Sequence, residues 1–364
     1  MNRTGVLNNA IIKGVLLVLV FLFSNGIVFA QQREEAENLV KEGVALEDSG
    51  KSEQAISKYQ QAISLDKNNL LALAEMSYSL LSLKNFDDAI KYCKLAIKTH
   101  PGETPLRMVY VTYGTAYDGL NKTGKSIDIY DEGLKIFPDY YYLYFNKGVS
   151  LWGMDKLDEA LLCFERSAAL EPAHAGSHNA IGKMCMNQNK KIPALMAYCR
   201  LLILEPGSKR SAIALENIQK IMKSNVKESG DKSVTLNISP DMLDAENKNQ
   251  KPNNFSNVEF KLVIASALDY DSSMINIPEI QKFLTKFNAV CEALKATEKN
   301  NYGFYWDYYV PYFIEMKDKD LTGTFVYIAF SSSGDPGVTS WLDLHKTEVD
   351  NFYKWSEKFA WKIN

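Results

Sequence analysis

The chain has 364 residues, 46% of them hydrophobic and 23% charged, with 41 basic against 44 acidic side chains and a formal net charge of −3. That length predicts two domains or three, and the apolar content excludes wholesale disorder, a collagen-like repeat and a disulfide-stapled miniprotein. No nucleic-acid partner is expected, because proteins that displace counterions from phosphate carry a basic excess that is missing here.

The first thirty residues read as an export signal. Arg3 and Lys13 precede the apolar run Gly14–Phe23, and Val28 and Ala30 supply the small residues of a cleavage site, so cleavage is predicted after Ala30. An uncleaved anchor is the competing reading, but the run is shorter than the ~20 apolar residues that span a bilayer core. The expectation is therefore a bacterial periplasmic or secreted protein with no stable membrane insertion once the signal is removed. The five cysteines, Cys93, Cys163, Cys185, Cys199 and Cys291, form no CxxC pair and are read mainly as small core residues.

From Gly43 onward the sequence repeats itself. A small residue recurs at Gly43, Ser77, Gly114, Gly148 and Gly182, in steps of 34 residues with one step of 37. Twelve positions after each stands another small residue: Ala55, Ala89, Ser126, Ala160 and Ala194. Four further on comes a bulky ring at Tyr59, Tyr130, Phe164 and Tyr198, with Cys93 in the second unit, and Pro101, Pro138, Pro172 and Pro206 close four of the five units. The physical reading is a helical hairpin: small residues let two helices approach, the ring fills the space between them, and proline stops the second helix.

This pattern resembles the tetratricopeptide repeat family over about residues 35–207. The resemblance implies an all-α solenoid of about five hairpins, and residues 211–222 read as an amphipathic helix capping the stack within a unit spanning 31–222. It also implies a concave surface, lined by the first helix of each pair, on which a protein or peptide segment lies. The lining expected here is apolar and aromatic: Tyr78, Leu81, Met108, Val111, Tyr142, Phe145, Trp152 and Met186. The competing occupant of that surface is the protein's own C-terminal region.

Residues 223–257 turn polar and read as a linker. Beyond them a small, mostly helical domain is expected over 258–364, with helices around Phe260–Leu268, from Pro278 and across Leu344–Trp361, while Phe325–Phe330 fits a helix or a buried strand. The rings of Trp306, Tyr308, Tyr309, Tyr312, Trp341, Trp355 and Trp361 are read as core, with an aromatic cage for a cation as the sharper alternative. His174 and His178 stand four apart on one helix face, but no third ligand accompanies them at a known spacing, so neither metal nor cofactor is expected. No HExxH, GxSxG, Walker or GxGxxG motif is present, and no catalytic residue is assigned. The expected function is a non-catalytic exported scaffold. The alternative is a solenoid that recruits partners for a C-terminal domain with its own enzymatic or ligand-binding activity.

Overall fold

The computed structural model of the chain describes residues 29–229, 233–243, 251–274 and 276–362. The expected signal lies outside the described residues except for positions 29 and 30, which open the first helix. The chain forms two compact units, one up to Met154 and one from Asp155 onward.

The first unit contains seven helices among the described residues: α1 (29–48), α2 (Ser52–Leu65), α3 (Leu70–Ser82), α4 (Phe86–Thr99), α5 (Leu106–Gly119), α6 (Thr123–Ile136) and α7 (Tyr141–Gly153). Its core is the set of side chains the repeat pattern marks. Ala55, Ala89 and Ser126 are sealed from solvent, as are Tyr59, Cys93 and Tyr130. A Cβ added to Gly43 would strike the Tyr59 ring, and one added to Gly114 would strike Tyr130, which is why those positions are glycine. The turn residues fall into the same register. Gly50, Lys84, Asn121, Asp155 and Asn189 all have φ between 56° and 75°, a left-handed conformation that glycine, asparagine and aspartate adopt most readily. Each second helix ends before its proline, α4 at Thr99 and α6 at Ile136.

The second unit begins with α8 (Leu157–Leu170), α9 (Ala175–Asn187), α10 (Lys191–Leu204) and α11 (Lys209–Lys223); α11 is the helix expected over 211–222, and it packs on α10 while later helices pack on it in turn. The segment 223–257 is only partly a linker. Val226–Glu228 (β1) pairs antiparallel with Val234–Leu236 (β2), and a short helix α12 (Pro240–Leu243) packs on the next helix. The reason is apolar anchoring: Val226 and Met242 are buried, so this stretch gains enough from burial to order its described residues.

After it come α13 (Ser256–Ala267), α14 (Glu279–Thr297), α15 (Phe304–Tyr308), α16 (Val310–Asp318), α17 (Thr322–Phe330), α18 (Pro336–Leu344) and α19 (Lys346–Lys358). Phe325–Phe330 is therefore helical, and it packs against α10, α14 and α19. The single helix expected over Leu344–Trp361 is instead two, broken at His345 (φ −114°, ψ 33°), and the helix ends at Lys358 before Phe359–Trp361.

The division between units falls between the two helices of the fourth repeat rather than in the polar stretch 223–257. α10 explains why. It is buried from Ile192 to Ile203, including Arg200, because α9, α11 and α17 all pack on it. A helix buried on every face needs cover on every face, and α17 completes what α9 and α11 leave open. Lys286 is also buried here, 2.5 Å from Asp269, which supplies the partner charge that a buried ammonium requires.

Candidate interaction site

In the first unit, α3 packs on α5 and α5 on α7, so the first helices of successive hairpins lie side by side. Four apolar side chains stay open along them: Leu71 (51% exposed), Tyr78 (45%), Met108 (39%) and Val149 (48%). Of the residues expected to line the groove, Tyr78 and Met108 are thus exposed. Leu81, Tyr142, Phe145 and Trp152 are partly buried, and Met186 is a partly buried residue of α9 in the second unit. Val111 is 9% exposed and belongs to the core of the first unit. Leu71 and Val149 went unnoticed in the sequence, yet the register contains them: Leu71 and Met108 each precede a small residue by six positions, and Tyr78 and Val149 each follow one.

Aromatic rings stiffen the start of α7. Tyr141 and Tyr142 stack with centroids 4.2 Å apart, the Arg107 guanidinium lies 4.9 Å from the Tyr140 ring centre, and Tyr140 Oη donates to Met108 Sδ at 2.7 Å. Met108 is therefore held in place while still open to solvent.

Carboxylates link neighbouring repeats. Asp118 accepts from Ser126 Oγ (2.7 Å), Ser150 Oγ (2.6 Å) and Tyr130 Oη (3.4 Å). Two repeats earlier Glu47 does the same, accepting from Ser52 Oγ (3.0 Å) and Ser79 Oγ (2.7 Å). Hydroxyl-to-carboxylate hydrogen bonds are charge-assisted and directional, so they set the angle between repeats as well as adding stability.

The second unit answers part of the question of what covers its own repeat helices. His178 is fully buried; its Nδ1 lies 2.6 Å from Tyr309 Oη and its Nε2 3.0 Å from the Pro172 carbonyl. Burial, reinforced by the Arg200 charge, lowers its pKa to about 3, so the imidazole is neutral at physiological pH. His174 Nδ1 contacts Ser177 Oγ at 2.8 Å, so both histidines are engaged in hydrogen bonds. Among the described residues no three His, Cys, Asp or Glu side chains gather as a metal would require. Tyr305 Oη meets Cys185 Sγ (3.2 Å), and Tyr308 Oη donates to the Ala168 carbonyl (2.6 Å). The C-terminal aromatics are thus core laid over α8 and α9, and the cation they enclose is internal: Arg200 lies 5.2 Å from the Tyr312 ring centre and 5.0 Å from that of Trp361.

Glu165 sits beside this layer. Burial pushes its carboxyl up to about 7, against the hydrogen bond to Tyr305 and the charge of Lys190, which pull it back. A carboxyl raised in the folded state makes folding take up a proton, so stability falls as pH rises from its ordinary 4.5 through 7. Glu165→Gln removes that penalty. Its unfolding free energy should exceed that of the parent chain by about 2 kcal/mol at pH 8 and differ little at pH 4.5. Urea unfolding at both values checks this, and a gain independent of pH would overturn it.

Tetratricopeptide repeat family models match residues 40–104 and 141–174. The chain carries tetratricopeptide repeats. Among curated relatives, human protein O-mannosyl-transferase TMTC3 is 22% identical over 162 residues, which is 40% of this chain and 17% of that protein. The small glutamine-rich tetratricopeptide repeat-containing protein of Dictyostelium discoideum is 35% identical over 82 residues, 22% of each chain. The match therefore spans about a fifth of the length of these relatives. A solved tetratricopeptide repeat protein of Thermus thermophilus aligns with a TM-score of 0.44 and 17% identity, over 50% of this chain and 99% of its own. No helix among the described residues is long and apolar enough to cross a membrane.

Proposed function

We propose that the protein is a non-catalytic scaffold, exported after removal of residues 1–30, whose repeats hold a segment of a partner protein against the first helices of the hairpins. The observation that carries this reading is the row Leu71, Tyr78, Met108 and Val149. These are large apolar side chains left open on helices that pack side by side, where burial would otherwise be expected. Aromatic and methionine side chains on a stiff helical support suit partner anchoring, since a few such groups carry most of the energy of an interface.

The test is crosslinked capture from the native host with the parent chain and with a Tyr78→Ala/Met108→Ala variant. The double substitution should weaken the complex by about 1–4 kcal/mol. It should leave thermal unfolding nearly unchanged, because both side chains are solvent-exposed. Undiminished capture by the variant would sink the groove reading. Export has its own readout: the N-terminus of the mature protein should be Gln31.

A further inference from the structure

The repeat register allows one site to be compared with a copy of itself 71 residues away. In the later copy, Tyr130 Oη is fully partnered, contacting Thr115 Oγ1 at 3.1 Å and Asp118 at 3.4 Å. In the earlier copy Tyr59 replaces Tyr130, Glu47 replaces Asp118, and Val44 stands where Thr115 would be, so one hydroxyl partner is gone. Ser79, beside Tyr59, gives its proton to Glu47. Tyr59 Oη, on a ring with no solvent exposure, is left without a hydrogen-bond partner of good geometry among the described residues.

A second difference points the same way. Where the later copy has Asn146, whose amide donates to the Tyr142 carbonyl at 2.8 Å, the earlier has Glu75. Burial and the charges of Glu47 and Asp48 all push the Glu75 carboxyl up. The same three carboxylates act on the Tyr59 hydroxyl. Geometry agrees: Glu75 stands one turn before Ser79 on α3, Ser79 donates to Glu47, and the Tyr59 hydroxyl is beside Ser79, so Glu47, Glu75 and that hydroxyl lie together between repeats 1 and 2. Leu71, Glu75 and Tyr78 lie at i, i+4 and i+7 on α3, so this place opens onto the apolar row.

Resting on the groove reading above, we infer that repeats 1 and 2 form an acidic socket for a lysine or arginine side chain of the bound segment, flanked by apolar residues that lie on Leu71 and Tyr78. A long organic cation fits better than a metal ion, since the carboxylates are not gathered as metal ligands among the described residues. The head group donates to Glu75, and its charge relieves the repulsion among Glu47, Asp48 and Glu75. The apolar stem and flanking residues cover the open row.

A random twelve-residue phage-display library selected on the immobilised full chain tests this. Lysine or arginine next to apolar residues should be enriched. A fluorescein-labelled peptide of the leading sequence should bind at least tenfold more weakly to Glu75→Gln, and more weakly to the parent chain at high salt. Glu75→Gln and Tyr59→Phe should unfold at the same temperature as the parent chain or higher, because one removes a like charge and the other an unpaired hydroxyl. Peptides that lack cations but still require Tyr78 would overturn the socket and leave the groove standing. Failure to select any peptide would overturn both, and so would binding indifferent to Glu75 and Tyr78 alike.

Discussion

Tyr130→Ala should lower the stability of the first unit by about 3–5 kcal/mol, the largest loss expected from any single substitution there. The ring is 1% exposed and lies against Gly114, where no side chain is available to fall into the vacated space. The hydroxyl is the lesser part: Asp118 keeps its hydrogen bonds from Ser126 and Ser150 when Tyr130 is gone. Tyr130→Phe, which keeps the ring, should therefore cost only about 1 kcal/mol. Urea unfolding of the full chain, with hydrogen exchange across α5, α6 and α7 to locate the transition, measures both, since a chain of two units need not unfold in one step. A loss below about 1.5 kcal/mol for the alanine variant would mean that the neighbouring helices close the cavity.

Arg200→Ala should destabilise the second unit by about 2–4 kcal/mol, and Arg200→Met by less than about 1. Arg200 is 4% exposed, and among the described residues no carboxylate pairs with it. Its guanidinium donates to Ser356 Oγ (2.9 Å), Tyr312 Oη (3.3 Å) and the Pro172 carbonyl (3.4 Å), while its Nε has no partner. Each of those acceptors has another hydrogen bond: Tyr312 and Ser356 meet at 2.7 Å, and Pro172 also contacts His178. Removing the arginine thus orphans nothing, and it recovers the desolvation penalty of a buried charge. What alanine loses is volume between the Tyr312 and Trp361 rings, and methionine restores most of it. Urea unfolding compares the two variants, followed by tryptophan emission, to which four of the five tryptophans contribute from the second unit. If methionine is as damaging as alanine, the charge and its hydrogen bonds, rather than packing, hold the C-terminal layer.

The repeats were legible because their determinants are local and recur. A small residue, a turn residue able to adopt positive φ, a ring and a proline each act within a single hairpin, and five copies reinforce one another. The open row was half legible. Tyr78 and Met108 are where the register puts them, but Val111 points into the core, and Leu71 and Val149 were overlooked. Helical phase predicts a face within about one residue, and the crossing angle between neighbouring helices decides which side of that face remains open. Nothing local announced that Glu165, Cys185 and Tyr305 meet, since they are up to 140 positions apart.

The sequence by itself determined the hairpins, their register, the residues that seal them and the helical character of most of the C-terminal third. Only the tertiary structure decided where the compact units divide and what covers α10. Hairpin formation depends on contacts between residues within about one repeat, which periodicity records. The cover of α10 depends on contacts across more than a hundred residues, between Arg200 and Tyr312 or Ser356 for example, which no period encodes. One trace of it was present, in the run from Ile192 to Ile203, where Arg200 is the single charged side chain. Such a run requires an outer layer without saying which residues form it.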